Sequence, residues 1–517
     1  MSLLSNFPLP QPRRLQVEVM ERIENAFSEG IRYVIVEAPV GSGKSAMAIA
    51  AALNYGDSHI LTPRKNLQDQ YFDDFEKHIN LMKGRSSYPC IYKDASKYTE
   101  IKAAIKRGDT PSPSITGVSV AEGACSNGDT KLYEACNSRH TCPYVIALDS
   151  AIQNPHVVHN VHSFIFQAYM HAKFDRRGIV IVDEAHNLED ICRDFITKEI
   201  TLPGKAGVDY EVPQFETIGE YEEFLLQDKF IPRRTDSKDL YKQAVEVLLL
   251  TGMKDFVVDF TLDDFFNRTT LKFIPRSIFG VPESLIFNFG ERVLLMSGTI
   301  YDRDAFCRSL GIPPEKSCFI QVPSSFHPSR RPIIMKPEYM VNTSHATWDA
   351  NLPELIRIIK LVMERFKGAK GLIHTPSYYT NSQIAKELQN EPRLMTHHQG
   401  DFRQKLEEFY ESKDPKVFLS PICQEGVDFK GDRARFQMIL RVPYPSIGDR
   451  FIKSMMQGNF AWYNRKALIV FGQEIGRINR SDEDHGVTIL VDSRFTKFVS
   501  SNNKKLPRWL LDAFVTK

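Results

Sequence analysis

Short runs that are apolar on both faces and end in a polar or glycine-bearing motif recur along this chain. They are "YVIVEA", "SHILTP", "GIVIVDEAH", "RVLLMSGT", "GLIHTPS", "KVFLSP", "RFQMILRVPYP" and "GVTILVD". A strand with one wet face alternates apolar and polar residues; these runs do not, so each is read as a parallel strand covered on both sides by helices. Helical stretches separate them, and the fold class predicted is α/β, with parallel sheets. Functional residues belong at the carboxyl ends of such strands, so the motifs that follow the runs are expected to share one edge. A chain of 517 residues has room for more than one such unit. Two segments break the pattern. Residues 84–150 lack strong strand runs, and residues 196–272 carry helical patterns such as "EYEEFLLQDKF" and "SKDLYKQAVEVLLLTG". Both are read as insertions into a first α/β domain built from 1–83, 151–195 and 273–330 with its linker; a second spans 331–517.

Composition sets the class. Hydrophobic residues make up 42% and charged residues 25%, as in a globular protein. No apolar run approaches the ~20 residues that span a bilayer. The start, "MSLLSNFPLPQPRRLQ", lacks a basic, apolar, small-residue export signal. The expectation is a cytoplasmic protein with no membrane partner. A net charge of +2 neither favours nor excludes nucleic acid, because a basic groove can sit on a balanced surface.

"APVGSGKS", Ala38 to Ser45, has the spacing of a phosphate cradle, with Ala38 where the usual pattern has its first glycine. Backbone N–H groups around Gly41, Ser42 and Gly43 would face the phosphates of ATP. Lys44 would supply a point charge, and Ser45 a hydroxyl to Mg²⁺. "IVIVDEAH" places Asp183 and Glu184 at the end of a buried strand, with His186 beyond. Asp183 would hold Mg²⁺ and Glu184 would orient and deprotonate the attacking water. "QEIGRINR" offers Gln473, Arg477 and Arg480; arginines three apart are expected on one helix face, reaching the γ-phosphate from the second domain. Four of the eight cysteines, Cys90, Cys125, Cys136 and Cys142, fall close together. Their spacing is not a tight CxxC zinc pattern and leaves an iron–sulfur cluster, zinc and free thiols open. Cys192, Cys307, Cys318 and Cys423 are scattered and read as small hydrophobes.

"RRLQ" at 13–16, "SGT" at 297–299, "CQEGVDF" at 423–429 and "PYP" at 443–445 follow the order of superfamily 2 helicase motifs. With the DEAH spelling and the inserted cysteines, the chain resembles the XPD/DinG family of iron–sulfur DNA helicases over nearly its whole length. The resemblance implies two RecA-like domains sandwiching ATP. Arg13 and Gln16 fall on the motif that recognises adenine. Glu425, Gly426 and Asp428 lie on the motif linking nucleotide to DNA, and Ser297 to Thr299 couple hydrolysis to movement. "LMKGRSSYPC" and "CNSRHTCPY" resemble the cluster domain of that family, which makes a [4Fe–4S] cluster on Cys90, Cys125, Cys136 and Cys142 the expected cofactor; His140 is read as a surface residue. Residues 196–272 take the place of the family's helical arch. Thr62, Arg64 and Lys65, with Ser377 and Tyr378, are expected on the DNA path.

The function implied is 5′-to-3′ helicase action on single-stranded DNA bearing tailed or forked duplex, with RNA–DNA hybrid as a further substrate, by a monomer. The alternatives are a translocase that strips proteins or RNA without unwinding, and a slow nucleotide-gated clamp. The short second insertion, and a chain that ends soon after "DSRF", suggest a minimal helicase of a bacterium or of a virus-infected cell, with repair, R-loop clearance, phage replication and plasmid defence all open as its pathway.

Overall fold

The computed structural model describes residues 2–39, 41–90, 119–121, 141–203, 220, 255–263, 268–423, 427, 429, 431–478 and 484–515. In chain order its strands are β1 (Tyr33–Glu37), β2 (Ser58–Thr62), β3 (Asn80–Met82), β4 (His156–Asn160), β5 (Arg177–Val182), β6 (Lys198–Pro203), β7 (Phe256–Asp263), β8 (Arg268–Pro275) and β9 (Gly290–Ser297). They continue with β10 (Ser317–Gln321), β11 (Ile333–Ile334), β12 (Gly371–His374), β13 (Leu394–Thr396), β14 (Val417–Ser420), β15 (Phe436–Ile439), β16 (Val487–Leu490) and β17 (Phe514–Val515).

Two seven-stranded sheets result, ordered β10-β1-β9-β5-β2-β4-β3 and β13-β14-β12-β15-β16-β11-β17. Every pairing in both is parallel. The α/β class expected from the runs is therefore what the chain adopts. β1 and β2 are buried at every position, as a strand covered on both faces must be. Val34, Ile35 and Val36 are fully buried; each such side chain contributes about 1.5–3 kcal/mol of burial free energy. Sequence reading passed over β4, "HVVHN", because histidines flank its apolar pair. His159 and the neighbouring His59 of β2 are fully buried, Nδ1 of His59 lying 3.2 Å from Nε2 of His159.

The insertions depart from expectation. The helix Pro143–Gln153 starts directly after Cys142 and belongs to the first domain: Ala151 is fully buried, and Asn80 Nδ2 donates to Ser150 Oγ at 2.7 Å. The first insertion thus returns to the domain near Cys142, not near residue 150. The span 196–272 is not helical at its roots. β6, β8 and β7 form a three-stranded antiparallel sheet, in that order. Threonine and β-branched residues at its ends, as in "FVVDFTLD" and "RTTLKFIP", favour strand over helix. The quoted helical patterns lie outside the described residues, apart from Glu220.

This small sheet stands on both domains. Val257 and Ile274 pack against Phe451, Met455, Trp462 and Tyr463 of the second domain, and Arg276 donates to Ser454 Oγ at 2.7 Å. Trp462 and Tyr463 belong to the helix Phe460–Ile475, which runs along the first domain and contacts it near both of its ends.

Candidate active site

β1 ends at Glu37 and the chain turns over Ala38 to Gly43 into the helix Lys44–Asn54. Gly41 and Gly43 have φ of 80° and 78°, the left-handed region that glycine reaches without strain. At Gly43 a Cβ would also overlap the Gln16 amide. Gln16 braces this loop with one end of its amide: Nε2 donates to the carbonyls of Ser42 and Gly43 at 3.3 and 3.4 Å, while Oε1 accepts from Arg13 N at 2.8 Å at the start of its own helix. Arg13 Nη1 donates to Gly41 O at 2.8 Å. Lys44 Nζ donates to Ala38 O at 3.1 Å, closing the loop on itself.

Two strands over, β5 delivers Asp183 and Glu184 to the same edge. Asp183 is buried; Tyr71 donates its hydroxyl to Oδ2 at 3.0 Å, and the Glu184 N–H donates to Oδ1 at 2.9 Å. Burial, then the neighbouring Glu184 charge, pushes the Asp183 carboxyl up to about 6, against the pull of Lys44. Ser45 lies near the Tyr71 hydroxyl and opposes the upward push of burial on its pKa. The phenol thus stands beside both oxygens expected to ligate Mg²⁺, a hard-oxygen set suited to that ion. Glu184 has φ of 51°, a backbone conformation that costs a non-glycine residue of order 1–3 kcal/mol and clusters at functional sites.

From Glu184 a line of polar groups crosses to the second domain. His186 Nδ1 lies 3.4 Å from Glu184 Oε2 and 2.8 Å from Ser297 Oγ. Burial pushes the His186 pKa down to about 4, so the ring is neutral near pH 7. Ser297 Oγ accepts from Thr299 N at 3.1 Å, and Thr299 Oγ1 accepts from Gln473 Nε2 at 2.9 Å. Gln473 Oε1 accepts from Arg477 Nη2 at 3.1 Å, and Arg477 Nη1 donates to Val427 O at 3.0 Å. The strands explain the juxtaposition: β1 and β9 pair with Glu37 opposite Ser297, and Ala38 N donates to Ser297 O at 2.8 Å.

The expectation of Arg477 and Arg480 on one helix face fails. The helix stops at Ile475, capped at Gly476, and Arg477 occupies the turn beyond, buried. Arg480, Glu425, Gly426 and Asp428 lie outside the described residues, as do Cys125, Cys136 and His140. Cys90 and Cys142 are half-buried, each packed on the first domain's core. Next to Cys90, Pro89 bridges Ser119 in antiparallel fashion, and Cys142 caps the N-terminus of Pro143–Gln153.

Among the expected DNA contacts, Thr62 is fully buried and donates to Arg64 O at 3.3 Å, so it shapes its turn and offers a strand nothing. Arg64 is half-buried, and burial lowers its pKa against the opposing pull of the Glu184 carboxylate. Lys65 is exposed, reaching Ser86 Oγ at 3.0 Å. Ser377 caps the helix Tyr378–Glu387 in a capping box with Thr380, and Tyr378 lies half-buried with its ring 5.6 Å from that of His397. The neighbouring Tyr379 is the exposed ring, at 65%.

Sequence reading missed Tyr71 and Glu37. Tyr71 sits mid-helix in Lys65–Phe75, where nothing distinguishes it from a core aromatic. Glu37 had a signal: a carboxylate closing an otherwise apolar buried strand needs partners. It has three, accepting from Ile300 N at 2.8 Å, Tyr301 N at 2.6 Å and Gln321 Nε2 at 2.8 Å. Burial raises its pKa.

A phosphate cradle, a buried acidic pair and a polar line into a second parallel-sheet domain define the class: a two-domain nucleotide hydrolase. Comparison with known proteins narrows it. A family model described as Helicase C-terminal domain matches residues 359–513, and one described as Type III restriction enzyme, res subunit, matches residues 9–201. The ATP-dependent DNA helicase YoaA of Haemophilus influenzae is 24% identical, over 94% of this chain and 91% of that protein. YoaA of Escherichia coli is 22% identical, over 94% and 92%. A solved XPD helicase structure superposes with a TM-score of 0.62 at 18% identity, covering 98% of this chain and all of that one. In sequence and in fold the chain is similar to helicases of the XPD/DinG type.

Proposed function

We propose that this chain is an ATP-dependent DNA helicase that moves 5′ to 3′ on single-stranded DNA. The observation that carries the proposal is the continuous polar line from Glu184 through His186, Ser297 and Thr299 to Gln473 and Arg477. A change at the γ-phosphate alters Glu184, and the line ends on Val427, inside the "CQEGVDF" motif of the second domain. Hydrolysis and domain separation are thereby tied.

Lys44 neutralises the β- and γ-phosphates, and Glu184 takes the proton of the attacking water. Neutral His186 orients the Glu184 carboxylate, and Arg477, with Arg480 beyond, carries positive charge from the second domain. Mg²⁺ would be held by Ser45 and Asp183, steadied by Tyr71, and supplies charge neutralisation between the phosphates. Arg13 and Gln16 keep the loop open for the nucleotide. Glu425, Gly426 and Asp428 would pass its state to the strand, which runs over Arg64, Lys65 and the Ser377–Tyr378 turn. Cys90 and Cys142, with Cys125 and Cys136, would hold a [4Fe–4S] cluster. The two described cysteines flank the first insertion, and Cys142 stands at a helix N-terminus. The cluster would supply a cross-link for a segment too small for a large core. If protein purified without oxygen contains no iron, or keeps its iron when Cys142→Ser is introduced, this assignment fails.

Strand displacement tests the whole. Duplex with a 5′ single-stranded tail is compared with duplex with a 3′ tail, with Glu184→Gln as control. Opening of only the 5′-tailed substrate, lost in the control, is expected. DNA-stimulated hydrolysis without displacement would make the chain a translocase, and opening from the 3′ tail alone would reverse the assigned polarity.

A further inference from the structure

Glu37 is a buried carboxylate that no step assigned so far uses. It is the last residue of β1, so the phosphate loop starts at the next position, Ala38. Its Oε1 receives two consecutive backbone donors, the N–H groups of Ile300 and Tyr301, and its Oε2 receives Gln321 Nε2. We propose that Glu37 is a positioning residue: it fixes the turn at 298–302 so that the second domain meets the phosphate loop in the geometry hydrolysis needs. The inference rests on the ATP-hydrolysing reading above and gives a role to a residue which that reading leaves idle.

The turn is not one the chain adopts freely. Tyr301 has φ of 58°, a region that a bulky side chain resists and that the surrounding structure must hold. The Glu37 carboxylate holds it. What the turn presents depends on that conformation. The Tyr301 ring lies against Gly472, and Thr299 Oγ1 accepts from Gln473 Nε2 at 2.9 Å. Both partners belong to the helix Phe460–Ile475 of the second domain. Gln473 in turn accepts from Arg477 Nη2 at 3.1 Å, so the turn steers the arginine. The root of the phosphate loop is fixed differently. β1 pairs with β9 and β10 along its whole length, and Ala38 N donates to Ser297 O at 2.8 Å. These are main-chain bonds and need no carboxylate. Loss of the Glu37 side chain therefore leaves the cradle in place and frees the turn. A displacement of about 1 Å in such a support costs roughly a hundredfold in rate.

The role asks for an acceptor rather than a charge. In Glu37→Gln, Oε1 still receives both N–H groups, and the exposed Gln321 amide can turn over to accept from the new N–H. In Glu37→Asp the charge stays, but the oxygens are withdrawn by one methylene.

Two measurements on the full chain test this: steady-state ATP turnover on single-stranded DNA, and calorimetric titration with the magnesium complex of a β,γ-imido ATP analogue. In Glu37→Ala, kcat is expected to fall roughly a hundredfold, with KM and the affinity for the analogue unchanged. Glu37→Gln restores kcat and Glu37→Asp does not. Should Glu37→Ala fail to fold, the other two variants decide. Unaltered kcat in Glu37→Ala, a loss that falls on KM instead, or any ranking other than Gln above Asp overturns the role. Absence of hydrolysis by the unaltered chain overturns the hydrolase reading beneath it.

Discussion

The helix Phe460–Ile475 touches the first domain near both ends, and the two contacts are built from opposite materials. Near its start the contact is ionic. Glu189, on the helix Leu188–Ile196 that follows the DEAH motif, is buried among Arg465, Lys466 and Arg193; Lys466 also holds Asp190 at 2.6 Å. Burial alone would raise the Glu189 pKa, but Lys466, Arg465 and Arg193 overcome it and hold the carboxyl well below the usual range. Near its end the contact is neutral. Gln473 bonds Thr299, and the Tyr301 ring lies so close to Gly472 that a Cβ there would overlap the phenol oxygen. Coulomb attraction falls off as the inverse of distance, so an ionic contact tolerates some separation. A hydrogen bond or a van der Waals fit is lost within an ångström or so. One helix thus carries a contact that survives motion and one that registers it, and the registering end is the one beside the nucleotide.

Removing the ionic end should have the largest effect. Glu189→Ala leaves buried cations without their carboxylate, a change that costs about 3–5 kcal/mol. The expected result is a matching fall in unfolding free energy measured with urea; an unchanged midpoint would show the cluster to be idle.

Gly472→Ala attacks the other end. The added methyl meets Tyr301, whose hydroxyl is buried without a hydrogen-bond partner among the described residues, and Thr299. Overpacking of this kind costs about 1–3 kcal/mol, and here the cost falls on domain closure. ATP turnover should drop by roughly ten- to a hundredfold while each domain stays folded by circular dichroism. Normal turnover would mean that the neutral contact does not report on the cleft.

Acid should weaken the sheets before it touches the ionic end. Burial pushes the His59 pKa down to about 3, with Arg177 adding to it. A histidine with a depressed folded pKa contributes stability that is fully present above its unfolded value near 6.5 and is lost as pH falls towards the folded one. By pH 5 the loss from His59 is about 2 kcal/mol. Glu189, also shifted down but from a starting value already below that window, stays charged throughout it. Differential scanning calorimetry from pH 7 to pH 5 should show a falling transition temperature, with the fall reduced in His59→Phe.

The smallest effect belongs to the outer part of the ionic end. Asp190 is 55% exposed, and the Lys466–Asp190 pair is worth at most about 1 kcal/mol. Asp190→Ala should lower unfolding free energy by no more than that, and the difference should vanish in molar salt. A salt-independent loss would place the pair among the buried contacts instead.

What the sequence made legible follows from range. Strands buried on both faces announce themselves locally, so both sheets, and the positions of Lys44, Asp183 and Glu184 just past strand ends, were readable from consecutive residues. Contacts made across the fold were not. Tyr71 reaches Asp183 over more than a hundred residues, and Glu37 meets Ile300, Tyr301 and Gln321 only because β9 and β10 flank β1. The antiparallel sheet escaped because its strands read as half-polar threonine-rich edges beside a stronger helical pattern. Arg477 was misplaced because Gly476 ends a helix whose apolar periodicity continues through Ile478, which is itself buried.

That antiparallel sheet has a mechanical consequence. Its strands are covalently continuous with the first domain, yet its foot rests on Phe451, Met455 and Trp462 of the second, with Arg276 bonded to Ser454. A strut joined to one plate of a bellows and leaning on the other is driven by every stroke. Under the proposed cycle, each parting of the two domains would tilt the sheet or drag its foot, making the second insertion a moving part of the engine rather than cargo carried on its casing.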